Sequence, residues 1–540
     1  MPQDFLYGME VIRHAPPFLF LFSDLRVIND MYDKFRTFLN TSLAQNNSVL
    51  SVVDERETRM NYIISDILDD ANNNVHKIIA NIFKLVFTRD ENENLMSSVF
   101  DIISNTDYFC KYYTQSPQQV FYNLYNQIAL ADLKGYIMLQ FSYLARRLEE
   151  KGNHTNASLL IRKEYEARTN NTMLTIISIM KVTSSKIWRC DPKRHIKGRT
   201  YDELTALLQG HVENEVDMNS KGTCRANCAA YSYTESYGCY DSKSEYCTKR
   251  KPCNGKIINC KFVESHMKAC ISPLSSPRRY EYIEYKSGKV LGNKRHCSNN
   301  RNINSWFRWF VHCSYCLCLC DQQGSHSDRY FNLRPVMADT AKNRVVTGLR
   351  LVKHNRIIHI QIQEGKLLPY GYIDNSTIRW VPIDDYKITD NGIKNGIDFH
   401  TMNYINRTMY LDDLVINEAH HIITGVRFEY VDNHLRFEIY VSNFNFDNGT
   451  VLDGAYYIYG GQGFGKDAAQ TTIPFFDTQP VAAYPALPLK GAGIYYKGKE
   501  GYGGFVAPKI STYDFSKYMQ LDLPNSEPRI ETEDEFPIVA

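Results

Sequence analysis

Apolar residues recur at helical spacing through the first third of the chain. The stretch 63–86 places its apolar side chains at i, i+3, i+4 and i+7, and 124–148 repeats the pattern until Gly152, a residue typical of helix C-caps. A further helical pattern begins near Ala157. Long amphipathic helices joined by short loops pack side by side, so residues 1–189 are predicted to form a bundle of antiparallel helices.

The pattern changes at about residue 190. Cysteines crowd into 190–325 between Gly, Asn, Ser and Lys residues, and no long periodic segment continues there. This composition predicts a loop-rich, disulfide-rich module that connects the helical bundle to the rest of the chain.

From residue 326 onward, apolar and polar residues alternate, as they do in half-buried β-strands. Two strands with a turn between them are predicted over 345–362. The same arrangement returns 77 residues later over 422–439, and both copies contain Thr-Gly-x-Arg, which we interpret as an internal hairpin repeat. Residues 326–525 are therefore predicted to form an antiparallel β domain, a β-prism or a β-sandwich, followed by an acidic tail at 526–540. The fold class is α+β and multidomain.

The 14 cysteines can be explained by disulfides or by a metal site. Cys316, Cys318 and Cys320 alternate with other residues, so on a strand their sulfurs would face one side, towards cysteines of a neighbouring segment. Zinc sites more often combine two separate ligand pairs, so the sequence favours disulfides and predicts no metal site. Cys110 is expected to tie the helical bundle to the cysteine-rich module. The predicted disulfide cysteines are Cys110, Cys190, Cys224, Cys228, Cys239, Cys247, Cys253, Cys260, Cys270, Cys297, Cys313, Cys316, Cys318 and Cys320.

Disulfides form in oxidising compartments such as the secretory pathway, and eight Asn-x-Ser/Thr sequons point to the same location. The candidate glycosylation sites are Asn40, Asn46, Asn153, Asn156, Asn170, Asn375, Asn406 and Asn448. Together with the cysteines they predict a secreted, extracellular glycoprotein. No apolar run approaches the length of a membrane span. Because no signal peptide is visible after Met1, we expect a leader peptide to be missing from this chain.

Charge and motifs argue against several classes of function. Lys and Arg number 62 against 60 Asp and Glu, so the net charge of +2 gives no reason to expect a nucleic-acid partner. The segment 460–466 nearly matches a phosphate-binding loop, but Asp467 stands where a Ser or Thr would hold magnesium. The histidines and carboxylates form no zinc motif, and no nucleophile elbow is present. We therefore expect no enzyme activity and no cofactor.

Tyrosine is abundant, with 38 residues, and it clusters with glycine at 456–461 and 494–504. Tyrosine rings can stack on sugars, can cross-link oxidatively in a matrix, or can simply suit β-strands. The candidate binding residues are Tyr457, Tyr459, Tyr495, Tyr496 and Tyr502.

These features favour a secreted, non-enzymatic binding protein whose β domain recognises a glycan or an extracellular protein. They leave homo-oligomerisation open. One alternative is a structural protein of eggshell, cuticle or clot that uses its Tyr- and Gly-rich segments. A second alternative is a pore-forming, toxin-like protein, because long amphipathic helices ahead of a β-rich domain are the general plan of some toxins.

Several segments resemble an arthropod, insect-type family of secreted proteins known only as a domain of unknown function. The resemblance is carried by 124–147, 312–321, 346–350, 358–365 and 423–428. It extends over most of the chain and implies an insect-like source and an extracellular location. It implies no catalytic residues, because none are established for that family.

Overall fold

The computed structural model of the protein describes residues 16–44, 50–68, 74–87, 114–148, 154–240, 251–262, 266–276, 278–292, 294, 297–459, 475–498 and 504–520. The chain divides into two compact units. The first comprises residues 1–187 together with 512–540, and the second comprises residues 188–511.

Helices build the first unit. In its described residues they are α1 (Pro16–Ala44), α2 (Leu50–Leu68), α3 (Val75–Phe87), α4 (Pro117–Leu148) and α5 (Thr155–Val182). The structure corrects one expectation: two helices share the apolar pattern of 63–86, because α2 ends at Leu68 and α3 begins at Val75. Gly152, the expected C-cap, lies outside the described residues. Apolar side chains from each of these helices meet in one core, which includes Leu21, Ile67, Ile79, Leu124 and Ile176.

Helices α4 and α5 pack antiparallel, as predicted. Gln118, at the start of α4, donates a hydrogen bond from Nε2 to the main-chain oxygen of Met180, near the end of α5, at 3.1 Å. Gln140, towards the end of α4, donates from Nε2 to the main-chain oxygen of Ser158, in the first turn of α5, at 2.9 Å. The start of each helix therefore lies beside the end of the other, so the two helices run in opposite directions.

Residues of the cysteine-rich segment fold largely into sheets. The strands up to residue 325 are β1 (Lys186–Ile187), β2 (Tyr201–Glu203), β3 (Gln209–Asn214), β4 (Tyr233–Thr234), β5 (Lys256–Phe262), β6 (His266–Ile271), β7 (Tyr280–Tyr285), β8 (Val290–Gly292), β9 (Asn300–Asn304), β10 (Trp306–Arg308), β11 (Val311–Cys313) and β12 (Tyr315–Asp321). In the described part, one sheet has the order β3-β12-β5-β4, another has the order β8-β7-β6-β9, and β10 pairs with β11. The sequence had predicted loops here, because strands of two to seven residues are too short to show a clear alternation.

Strand β12 lies between β3 and β5 and confirms the disulfide prediction. Its residues alternate between half-buried and buried, and the buried positions are the three cysteines. The bonds are Cys228–Cys316, Cys260–Cys318 and Cys253–Cys320. Further bonds join Cys224 to Cys313 and Cys270 to Cys297. Cys190 and Cys239 are also disulfide-bonded. Cys110 and Cys247 lie outside the described residues, so the expected link through Cys110 stays a prediction.

The rest of the second unit is a β domain. Its strands are β13 (Tyr330–Asn332), β14 (Val336–Met337), β15 (Arg344–His354), β16 (Ile357–Leu367), β17 (Ile373–Trp380), β18 (Phe399–Thr401), β19 (Thr408–Met409), β20 (Asp413–Val415), β21 (His421–Val431), β22 (His434–Asn445), β23 (Thr450–Tyr459), β24 (Phe475–Asp477), β25 (Val481–Ala482), β26 (Leu489–Lys497) and β27 (Phe505–Thr512). Short 3-10 helices of the second unit cover Glu215–Met218, Cys228–Ala230, Thr340–Lys342 and Pro369–Gly371, and another, Phe515–Tyr518, belongs to the first unit.

The predicted hairpin repeat is present in detail. Hairpins β15–β16 and β21–β22 turn through residues with positive φ, beginning at Asn355 in the first and at Asp432, 77 positions later, in the second. Each hairpin also has a β-bulge at the Thr of its Thr-Gly-x-Arg sequence, Thr347 and Thr424. Both threonines are fully buried. The register of the two copies is therefore fixed by the same turn and the same bulge.

A further hairpin-like pair of strands, β26 and β27, belongs to a third sheet, so the described part of the domain contains three sheets. The first sheet has the order β18-β13-β16-β15-β25, with β17 also on β16. The second has the order β14-β21-β22-β19, with β23 also on β22, and the third has the order β2-β24-β27-β26-β20. Strands β15, β21 and β26 contact one another in pairs, so the three sheets surround a common core. This is the arrangement of a prism and not of a two-sheet sandwich.

The sheets are linked by an exchange of short strands. Strand β14 follows β13 of the first sheet but pairs with β21 of the second. Strand β20 pairs with β26 of the third sheet, and β25 returns from the third sheet to pair with β15 of the first. At each crossing the longer strand carries a glycine, Gly348, Gly425 or Gly491. A Cβ there would lie within 3.0 Å of a main-chain oxygen of the short strand. The Gly of the repeated Thr-Gly is thus required by the close approach of two backbones.

Candidate functional site

The outer face of the second sheet brings two of the predicted binding residues together. Tyr457 and Tyr459 both lie on β23, two positions apart, and therefore point to the same side of the strand. Across the sheet, Arg427 pairs with Glu438, and Glu438 pairs with Tyr459. We call the surface formed by Arg427, Glu429, Arg436, Glu438, Tyr440, Tyr457 and Tyr459 the tyrosine face.

Guanidinium groups support the two outer tyrosine rings from behind. The Arg427 guanidinium carbon lies 5.0 Å from the centre of the Tyr457 ring, and that of Arg436 lies 4.1 Å from the centre of the Tyr459 ring. The rings of Tyr440 and Tyr457 are 4.4 Å apart. Tyr457 is 50% exposed and Tyr459 is 58% exposed. The Arg427 and Arg436 side chains are 24% and 18% exposed, less than the rings, so each ring lies close to a more deeply buried cation while a large part of its own surface remains open to solvent.

The charges beneath the rings are paired within the protein. Glu438 is almost completely buried and accepts hydrogen bonds from Arg427 Nε at 2.6 Å and from Arg436 Nη2 at 2.7 Å. Glu429 accepts from Arg427 at 2.9 Å and is also paired with Arg436. Burial raises the pKa of Glu438 and raises the pKa of Tyr440 to about 12. Two arginines and two glutamates thus form a network that holds the ring supports in place.

The remaining predicted tyrosines lie elsewhere. Tyr495 and Tyr496 are on β26, in the third sheet, so the structure does not join them to Tyr457 and Tyr459. Burial raises the pKa of Tyr495 above its ordinary value. The ring of Tyr496 lies over Gly504, where a Cβ would meet it at 2.6 Å, which gives this Gly-Tyr segment a packing role. Tyr502 lies outside the described residues.

A cavity of about 870 Å³ opens near the sheet that contains β12. Its lining includes Tyr233, Glu235, Lys256, Asp321 and Tyr404. Lys256 forms an ion pair with Glu235, and Asp321 accepts a hydrogen bond from the main-chain nitrogen of Tyr404 at 2.8 Å. These charged groups already have partners, so the cavity offers no uncommitted acid or base among them.

The described residues contain one cluster with the composition of a metal site. Glu215, Cys228 and Cys316 place their ligand atoms close together in the interior. However, Cys228 and Cys316 are joined to each other. Disulfide sulfurs are not thiolates and do not supply the ligands that zinc requires.

The sequons differ in their surroundings. Asn40 and Asn156 lie on helices and are exposed, Asn170 is half-buried in α5, Asn406 is half-buried, and Asn375 and Asn448 are exposed in the β domain. Asn46 and Asn153 lie outside the described residues. At Asn448 the side-chain oxygen accepts hydrogen bonds from the nitrogen and the hydroxyl of Thr450, at 3.1 and 2.6 Å. Glycosylation of these asparagines stays a prediction.

His359, on β16, is a buried histidine whose pKa is strongly lowered by its surroundings. Only 1% of its surface is exposed. Burial, together with nearby His354, lowers the pKa of His359 to about 4, although the carboxylate of Asp384 acts in the opposite direction. The ring is packed edge-on against Tyr386, at 5.9 Å between centres. His359 is therefore kept neutral by the fold.

The neutral state of His359 predicts a pH-dependent stability. Between pH 6.5 and pH 4 the unfolded chain binds a proton at this position and the folded protein does not, so the free energy of unfolding should fall as the pH falls. The full loss amounts to about 3 kcal/mol. Urea unfolding at a series of pH values should show this loss, and His359→Leu should remove it. His266→Gln, at an exposed position, controls for the loss of a histidine as such, and an unchanged pH dependence in His359→Leu would contradict the expectation.

None of the helices in the described segments is long and apolar enough to cross a membrane.

Residues 107–362 match the model of a family described as a domain of unknown function, DUF4803. The matched range extends from before α4, through the cysteine-rich sheets, to Ile362 of β16, and it does not reach the tyrosine face. No curated protein sequence matches the chain. The chain is thus similar to a family of unknown function over its middle part. Of the segments that carried the resemblance, the match includes 124–147, 312–321, 346–350 and the start of 358–365, and it does not reach 423–428.

Proposed function

We propose that this protein is a secreted, non-enzymatic binding protein that recognises a glycan through the tyrosine face. The observation that carries the proposal is the pair of half-exposed rings, Tyr457 and Tyr459, each backed by a guanidinium group. Disulfide bonds form and persist in oxidising compartments, which supports an extracellular location. The insect-type source implied by the sequence resemblance forms part of the same proposal.

The face suits a neutral sugar. The apolar face of a pyranose ring packs on an exposed aromatic ring, and a ring fixed by a cation behind it loses little freedom when the sugar binds. Because Glu429 and Glu438 pair with Arg427 and Arg436, the network carries no uncompensated charge towards a ligand. We therefore expect neutral glycans to bind better than sialylated or sulfated ones.

Substitution of the two rings tests the proposal. On an array of glycans, Tyr457→Ala and Tyr459→Ala should each weaken binding by about tenfold, because each removes one stacking surface. Tyr457→Phe should retain most of the affinity, since stacking needs the ring and not its hydroxyl. Tyr372→Ala, at a similarly exposed tyrosine outside the face, is the matched control. Failure of the unaltered protein to bind any glycan would exclude this function, and equal binding by both alanine variants would exclude this site.

A further inference from the structure

A short hairpin in the cysteine-rich segment presents large apolar side chains to solvent. Strands β10 and β11 pair from Trp306–Cys313 to Arg308–Val311, which leaves Trp309 and Phe310 as the turn. Trp309 is 88% exposed, Phe310 is 99% exposed and Phe307 is 71% exposed. We call these three residues the aromatic tip.

The base of the hairpin is firmly attached. Cys313 is joined to Cys224 by a disulfide. Arg308 donates a hydrogen bond to the main-chain oxygen of Gly222, and its guanidinium lies 4.5 Å from the centre of the Tyr240 ring. Tyr240 also stacks on Trp306 at 5.7 Å. The aromatic tip is therefore held on an ordered support, so little freedom is lost when it binds.

The backbone of the turn is strained, and the exposed Trp309 side chain makes few packing contacts that could offset the strain. Trp309 has φ of 55°, in the left-handed region that bulky residues rarely adopt. Asn or Gly would fit this position better. A tryptophan with a strained backbone and an exposed side chain contributes little to the stability of the fold. Its position therefore points to a role in binding another molecule.

Exposed basic residues lie on the segments that anchor the tip. Lys221 and Arg225 are exposed and flank Cys224, the disulfide partner of the hairpin, and His312 is exposed on β11. Neither 218–234 nor 297–320 contains an Asp or a Glu. A convex apolar tip with cationic neighbours matches the two parts of an anionic bilayer surface, the acyl boundary and the negative headgroups.

We propose that the aromatic tip inserts into the interface of membranes that contain anionic phospholipid. Trp309 and Phe310 enter the headgroup–acyl boundary, where aromatic rings are favoured, while Lys221 and Arg225 remain among the headgroups. The contact is peripheral and reversible, since one hairpin tip buries only a few side chains. It is independent of the tyrosine face.

Vesicle binding by the full, disulfide-intact chain tests this proposal. The protein should sediment with vesicles of phosphatidylcholine and phosphatidylserine, and added salt should weaken this binding. Tryptophan emission should shift to shorter wavelength on binding. The double variant Trp309→Asn, Phe310→Ser should bind at least tenfold more weakly, and because Asn tolerates positive φ it should keep the turn and the thermal stability. Ile397→Ser, at an exposed apolar residue of another loop, should bind like the unaltered protein.

Three results would overturn the proposal. The first is an absence of binding to these vesicles, and the second is equal binding by the double variant. The third is concentration-dependent association without vesicles that the double variant abolishes, which would assign the tip to a second copy of the chain. Equal binding to pure phosphatidylcholine would overturn the part assigned to Lys221 and Arg225.

Discussion

Removing the disulfides Cys224–Cys313 and Cys228–Cys316 together should destabilise the second unit by more than the two separate removals combined. The bonds close almost the same loop, with sequence separations of 89 and 88 residues. When one pair is replaced by alanine, the other still holds the loop closed, so we expect a loss of about 2 kcal/mol. When both are replaced, the chain also regains the entropy of the segment before Cys253, because the bonds of Cys253 and Cys260 hold only the later part of the loop against β12, and the combined loss should exceed the sum by roughly 1 to 2 kcal/mol.

Urea unfolding without reductant, on the three variants and the unaltered chain, measures this coupling. The pair Cys270–Cys297 supplies the control, because it closes a much shorter loop, with a separation of 27 residues, that starts in another sheet and is nested within the long loops, whose closure entropy it changes only slightly. Its removal should add simply to the removal of Cys224–Cys313. If the two neighbouring disulfides were also additive, the loop-entropy explanation of their joint effect on stability would be wrong.

The disulfide face of β12 could be predicted because it depends only on strand periodicity. Alternation places Cys316, Cys318 and Cys320 on one side whatever lies opposite them. Their partners could not be predicted, because pairing depends on which segments the sheet brings alongside. For the same reason the helices and the two hairpins of the repeat were visible in the sequence, whereas the two-residue strands β14 and β25 were not.

The third hairpin unit was missed because its sequence departs from the repeat. Gly491 matches the Gly of Thr-Gly, but Lys490 stands in place of Thr and Gly493 in place of Arg. The distance from Gly425 to Gly491 is 66 residues and not 77. In all three copies a short strand crosses close to a glycine. This is a contact between backbones, so the glycine is the only residue that marks it in the sequence.

The tyrosine face could be predicted only in part. Tyr456 and Tyr457 are neighbours in sequence, yet they serve opposite faces of β23: Tyr456 packs edge-on against His421, while Tyr457 lies over Arg427. Composition therefore identified the strand but not the face. Arg427 was recognised as part of the repeat, but its position beneath a ring depends on the pairing of three strands.

Replacing Arg329 by methionine should lower the free energy of unfolding of the second unit by about 3 to 5 kcal/mol, because a buried ion pair is broken and its hydrogen bonds are lost. Arg329 is fully buried. It pairs with Asp321 and donates to the main-chain oxygens of Ala206 at 2.6 Å, Gln322 at 2.7 Å and Met402 at 3.3 Å. One guanidinium thus holds three segments of the second unit. Nothing in the sequence marks this residue, because most arginines are exposed.

Two companion variants separate the ion pair from the other hydrogen bonds in urea unfolding. Arg329→Met combined with Asp321→Asn should recover part of the loss, since no unpaired carboxylate remains and the amide oxygen can still accept from the main-chain nitrogen of Tyr404. Arg329→Lys should remain strongly destabilised, because an ammonium group cannot reach all three segments from one position. Arg199→Met, at an exposed arginine, should change stability by less than about 0.5 kcal/mol. If Arg329→Met were as mild as this control, the three segments would have to be held by their disulfides and strand pairing, and the buried guanidinium would have no structural role.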